Sequence, residues 1–238
     1  MSEWAQKRFW TKAEAVAEDT GWAVALDARR VRTPAKAPLV VPTRAMADAI
    51  AAEWDAQTDR INPLSMPVTR SANAAIDKVA HQRAEVADML AEYGDADLLC
   101  YRAGKPAELV ARQAEAWDPL LEWAETALGA RLKTRLGVIH AAQDARAIDR
   151  LRAQVHAQDP FELAAFHDLV SLSGSLVLGF AVAQGHLAAR DAWALSRLDE
   201  LWQQEQWGTD DEAERMADVK CTDLTHAWEF LTLLRDRS

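Results

Sequence analysis

Five carboxylates crowd one short stretch of this sequence: Glu205, Asp210, Asp211, Glu212 and Glu214, with Trp202 and Trp207 on either side of the first. Two acids can divide the work of proton donor and acceptor, but only where folding sets their separation. An enzyme or small-ligand binder using clustered carboxylates therefore stands as the alternative reading. The acids at 210–212 suit the first turn of a helix, where negative charge complements the helix dipole. Glu205 does not, because it falls near a helix C-terminus, where that charge is mildly unfavourable. An acid set against its dipole and flanked by indoles is a candidate for contact with another protein. Glu205, Trp207, Asp210, Glu212 and Trp202 form the candidate partner-binding set.

Other chemistries find less to work with. Gly174-Ser-Leu-Val-Leu-Gly179 has the glycine spacing of a phosphate-binding loop but no lysine follows it, so these glycines are expected to permit close helix packing. The histidines at 81, 140, 156, 167, 186 and 226 show no HExxH pairing and no zinc-binding face. Ser171, Ser173 and Ser175 lie in an apolar run without the Gly-x-Ser-x-Gly elbow that exposes a nucleophile. No catalytic residue, metal site, nucleotide or other cofactor is expected.

Two kinds of element must position these residues. Phe9 to Ala17, Trp22 to Leu26, Arg30 to Thr33 and Pro38 to Val41 read as short antiparallel strands separated by turn residues. Val24, Leu26 and Val31 are expected on one apolar side, with Arg30 and Arg32 toward water. From Thr43, a plausible N-cap, the period becomes helical, and Met46, Ile50 and Trp54 share one stripe of a helix ending near Asp59. Asn62-Pro63 and Met66-Pro67 then break the chain. Beyond them helices are expected at about 69–93, 106–128, 142–157, 160–184, 189–206 and 210–234. Asp159-Pro160-Phe161-Glu162 and Thr209-Asp-Asp-Glu212 have the form of helix starts, and Gly208 that of a stop. The fold class is α+β: a small N-terminal antiparallel β-rich domain with one helix over residues 1–62, then a larger all-helical domain over 63–238. Trp54, Asp55, Arg70 and Asp77 are assigned structural roles, with the acids near Trp54 free to pair with Arg70. Arg70, Asn73 and Asp77 are spaced for one helix face.

Composition narrows the partners. Half of the 238 residues are apolar and 27% charged, the profile of a water-soluble globule. The net charge of −10 argues against nucleic acid and against an anionic membrane surface. Cys100 and Cys221 belong to no metal-binding or redox motif, which fits a reducing compartment. The opening Met1 to Trp10 has neither the apolar core of a secretion signal nor the pattern of a transit peptide. Leu169 to Ala183 is too short and too interrupted for membrane insertion and reads as a buried helix. Ten tryptophans against two tyrosines are mostly core, as expected for Trp54, Trp117, Trp123 and Trp193.

Several segments together resemble the mitochondrial and α-proteobacterial F1-ATPase assembly chaperone family that acts on the α subunit. They are Lys7-Arg8-Phe9-Trp10, Trp22 to Arg29 with Thr33-Pro34, Ala52-Glu53-Trp54-Asp55-Ala-Gln57, Ile61-Asn-Pro63, Met66-Pro67-Val-Thr69 and Ala75-Ile-Asp77. Asp97 to Ala103, Gln113 with Trp117-Asp118-Pro119-Leu120-Leu121, and Trp207-Gly208 continue the series in order. Ala28 departs from it, standing where the family usually has glycine. The resemblance implies a β-rich domain followed by a helical one, and a protein that binds unassembled F1 α subunit and shields the surface that later meets β. It also implies a critical acid in the C-terminal helical region, carried onto Glu205 with Asp210 second. The compartment implied is the bacterial cytoplasm, or the mitochondrial matrix for a eukaryotic mature form.

Overall fold

The strand-forming residues pair around a tight turn at Asp19-Thr20: β1 (Ala13–Glu18) runs antiparallel to β2 (Gly21–Leu26), with Glu18 opposite Gly21 and Ala13 opposite Leu26. The structure, a computed structural model of the chain, describes residues 7–236, so residues 1–6 of the opening segment lie outside it. β2 also pairs antiparallel with β3 (Arg29–Arg30) and β4 (Val40–Val41). Gly21 has a φ of +154°, and a Cβ there would lie 2.5 Å from the Val41 carbonyl oxygen, so the close approach of β4 depends on glycine. The expected strands Arg30–Thr33 and Pro38–Val41 shorten to these two-residue pieces plus one bridge between Arg32 and Pro38. Val24, Leu26 and Val31 are buried and Arg30 and Arg32 exposed, but Ala23 and Ala25 are buried too, since β2 is covered on both faces. At the β2–β3 turn Asp27, not Ala28, takes the positive φ. Its carboxylate accepts from the Thr11 hydroxyl at 2.8 Å and the Lys12 N–H at 3.0 Å, and these bonds hold its pKa below the ordinary range.

Helix α1 (Arg44–Asp55) packs on β1 and β2 through Met46, Ala47, Ile50 and Ala51. Thr43 caps it, accepting from the Met46 N–H at 3.2 Å while its hydroxyl donates to the Leu233 carbonyl at 2.8 Å. The helix stops four residues before Asp59 because Arg8 intercepts its end. The Arg8 guanidinium donates to the Asp55 and Gln57 carbonyls, each at 2.6 Å, and pairs with the Asp55 carboxylate at 3.0 Å. α2 (Pro67–Ala74) follows and widens into a π-helical turn over Ala75–Val79.

The remaining elements are α3 (Arg83–Ala91), β5 (Tyr101–Arg102), α4 (Ala107–Ala127), β6 (Arg135–Leu136), α5 (Ala145–His156), α6 (Pro160–Ser173), α7 (Leu176–Ala183), α8 (Ala189–Ser196), α9 (Leu198–Trp207) and α10 (Asp211–Arg235). The chain is thus α+β, a small N-terminal antiparallel sheet followed by a mostly helical part. An unanticipated two-residue parallel ladder joins β5 and β6. Among the described residues two compact units emerge: one comprises residues 7–83 with Asp159–Ala165 and residues 229–236, the other Ala84–Gln158 with Phe166–Trp228. No described helix is long and apolar enough to cross a membrane.

In the second unit the expected helix over 160–184 divides at Gly174-Ser175. Gly174 takes a φ of +70°, and Ser175 is extended and caps α7. Asp97, distant in sequence and fully buried, causes the break. Its carboxylate accepts from the hydroxyl of the capping Ser175 at 2.7 Å and from the Val177 N–H at 2.9 Å, the latter a first-turn donor of α7 that has no partner within the helix. Every residue of α7 is buried, and a Cβ on Gly179 would lie 2.6 Å from Val170 Cγ2, so α6 and α7 meet closely at this glycine. The expected helix over 189–206 likewise divides at Arg197.

Candidate functional site

α4 holds α8 and α9 in place through side chains spaced along one face. The buried Gln113 accepts from the Ala103 N–H at 2.8 Å and donates to Asp199 at 2.6 Å. Trp117, also buried, donates its indole N–H to the Leu195 carbonyl at 3.0 Å, while Arg102 stacks over its ring and pairs with Asp118 at 2.7 Å. Arg112 pairs with Glu205 at 2.6 Å and lies 5.9 Å from the centre of the Trp202 ring. The Arg112 hydrogen bond lowers the Glu205 pKa and raises that of the arginine.

The opposite face of α9 borders an open groove of about 780 Å³, whose other walls come from the end of α6, from α8 and from the start of α10. Residues 200, 203, 204 and 207 of α9 share this face by helical spacing. Trp207, with 79% of its surface exposed, stands on the groove edge, and Met216 of α10, 55% exposed, lines it as well. Val219, one turn along α10, is equally exposed. The acids of the groove have local duties. Glu200 pairs with Arg197 at 2.8 Å, and Arg197 stacks over Trp193. Asp210 caps α10, accepting from the Glu212 N–H at 2.8 Å and the Ala213 N–H at 3.0 Å, which lowers its pKa. The cap is therefore Asp210 rather than Thr209; the chain leaves Gly208 at φ +92°, ψ 170°, a positive-φ conformation open to glycine that is not left-handed helical. Among the described residues no group of three or more His, Cys, Asp or Glu side chains is placed to hold a metal ion.

The five candidate contact residues thus separate. Trp207 and Asp210 line the groove; Glu205 and Trp202 sit with Arg112 on the other face of α9; Glu212 is exposed in the first turn of α10. Met216 and Arg112 escaped the sequence reading. Met216 lies in a run of charged residues that gives no reason to single it out, and Arg112 is 93 positions from its partner.

The four structural candidates lie in the first unit. Trp54 is half-buried, its ring edge-on to Trp10 at 5.3 Å. Asp55 pairs with Arg8, and Glu53 accepts from the Val68 N–H at 2.7 Å and the Thr69 N–H at 2.8 Å, which caps α2. Neither acid pairs with Arg70, which is exposed; the backbone at the α2 N-terminus reaches Glu53 first. Asp77 accepts from the Thr33 hydroxyl at 2.6 Å and the Ala35 N–H at 3.0 Å, tying the π-helical turn to the loop before β4.

Comparison with known proteins extends these observations. The model of the family described as ATP12 chaperone protein matches residues 7–125. The mitochondrial protein atp12 of Schizosaccharomyces pombe is 28% identical over 222 residues, covering 88% of this chain and 76% of that protein. The solved structure of Atp12 from Paracoccus denitrificans is 51% identical, covers 98% of this chain and 100% of its own, and superposes with a TM-score of 0.95. An aspartate-to-lysine variant of the Paracoccus protein superposes on this chain with a TM-score of 0.96 at 51% identity over the same 98% and 100%.

Proposed function

The chain belongs to the ATP12 chaperone family, and from that membership we propose that it binds the unassembled α subunit of F1-ATPase and shields that subunit's β-facing surface until the α/β hexamer forms. The observation that carries the choice of contact face is Trp207, an almost uncovered indole on the edge of a wide, open groove, with Met216 beside it. Tryptophan is a preferred anchor of protein interfaces, and a groove of this shape suits a polypeptide surface better than an enclosed small molecule. Glu200 and Asp210, the acids an enzyme would need here, are engaged in an ion pair and a helix cap. The Arg112–Glu205 pair and Trp202 lie on the opposite face of α9 from the groove, so a contact that includes them wraps around this helix. Release follows when the β subunit competes for the same surface of α, so the handover runs on differential affinity without nucleotide turnover.

Glu205→Lys and Trp207→Ala test the assignment, since both side chains are exposed and neither exchange disturbs the core. Each variant is expected to keep a thermal midpoint near that of the wild type and to lose co-purification with unassembled α subunit. Undiminished co-purification of both would remove this corner of the molecule from the contact face.

A further inference from the structure

Between Lys133 and Gln143 the chain makes an excursion closed at its neck. The Lys133 N–H donates to the Gln143 side-chain oxygen at 2.8 Å, and the Gln143 amide returns a bond to the Lys133 carbonyl at 2.9 Å. Further ties fix its course: the β5–β6 ladder, the Gly137 N–H to the Arg102 carbonyl at 2.9 Å, and His140 to the Asp95 carboxylate at 2.8 Å. These bonds hold the backbone, yet the tip is uncovered, with Leu136, Val138 and Ile139 exposed by 73%, 90% and 83%. Scattered exposed aliphatics are ordinary, but three within four residues on a tied-down loop form a patch.

The charge around the neck is the reverse of the rest of the chain. Lys133, Arg131, Arg146 and Arg150 line an open concavity of about 410 Å³ together with the acids Asp144 and Glu125, the latter 3.8 Å from Arg131. The concavity thus holds four cations against two acids, and although the Asp95 carboxylate also reaches the neck through His140 and the Gln143 N–H, cations remain in local excess in a sequence of net charge −10. An acidic segment is disfavoured by the net charge of the chain as a whole and meets a local excess of cations here, which favours this location over others.

We propose that this loop and the basic concavity at its neck form a second docking surface, which takes an acidic segment of the F1 α subunit carrying exposed aliphatic side chains. The proposal rests on the client assignment above and adds a contact remote in sequence from the α9–α10 corner. The aliphatic tip supplies buried apolar area, and the cations supply orientation and a salt-dependent association rate.

The test titrates purified F1 α subunit with the full-length wild type, with a Val138→Ser/Ile139→Ser double variant and with an Arg131→Glu/Arg146→Glu double variant, at low and at high salt. All four side chains are exposed, so thermal midpoints stay near wild type. The serine variant is expected to bind about tenfold or more weakly at both salt concentrations. The charge-reversed variant is expected to bind less tightly at low salt and with a flatter salt dependence. Wild-type affinity in either double variant overturns the second surface and leaves the groove assignment standing. A wild type that ignores α overturns both. Vesicles of anionic phospholipid serve as the parallel probe: if the serine variant loses vesicle binding and keeps α binding, the tip is a membrane contact and the proposal is wrong.

Discussion

Asp97→Ala removes a buried carboxylate that accepts from the Ser175 hydroxyl at 2.7 Å, the Val177 N–H at 2.9 Å and the Leu99 N–H at 3.0 Å. Burial pushes its pKa up from 3.8 to about 6, although the hydrogen bonds to Val177, Ser175 and Leu99 pull the other way. Above that pH the wild type carries a buried charge at a cost of about 3 kcal/mol, which alanine relieves. Alanine also leaves three buried donors without an acceptor, at about 1–3 kcal/mol each, and the second effect is the larger. The net expectation is a loss of about 3 kcal/mol near pH 8. The pH dependence gives the sharper test. Because the folded pKa lies above the unfolded one, the contribution of this carboxyl is fully present below pH 3.8 and is lost as pH rises through about 6. The wild type should therefore gain stability over the variant on acidification, and the gap should widen by about 1 kcal/mol between pH 8 and pH 5. Urea unfolding of both proteins at the two pH values measures it. A gap that narrows toward pH 5 would mean that the donors outweigh desolvation, and the reasoning would fail.

Gly179→Ala places a methyl group 2.6 Å from Val170 Cγ2 and 3.4 Å from Phe166 Cε2. The overpacking should cost about 1–3 kcal/mol and lower the thermal midpoint by roughly 2–12 °C in calorimetry; an unchanged midpoint would contradict the close approach of α6 and α7. Trp54→Arg puts a charge against Trp10 in place of an edge-on indole contact at 5.3 Å. It should destabilise the protein by about 3 kcal/mol, read as a lower urea midpoint, and a midpoint equal to wild type would show that the position is not structural.

Where neighbouring residues decide a structure, this sequence is readable. The antiparallel hairpin around Asp19-Thr20 follows from alternation and turn residues, and the start of α6 from Asp159, which accepts from the Phe161 and Glu162 N–H groups at 2.8 and 2.9 Å, while Glu162 returns a bond at 3.0 Å. Where the deciding partner is far along the chain, local pattern misleads. Leu169 to Ala183 looks like one helix because nothing nearby reveals that Asp97 captures the first turn of α7 from 80 positions away. Arg8 ends α1 from 47 positions away, and Glu53 caps α2 across two prolines. The acid-and-indole cluster at the α9–α10 corner was visible as a composition, yet its division between two faces of α9 needed the position of α4. Arg112 draws Glu205 and Trp202 to one side, and the helical spacing leaves Trp207 on the other.

Mixing the purified chain with separately expressed F1 α and β subunits, and following each subunit in the supernatant after centrifugation, tests the client assignment most directly. The α subunit is expected to stay soluble in a complex with this chain, the β subunit is not, and adding β to the complex is expected to release the chain. Sedimentation of α to the same extent as in buffer alone would contradict that assignment.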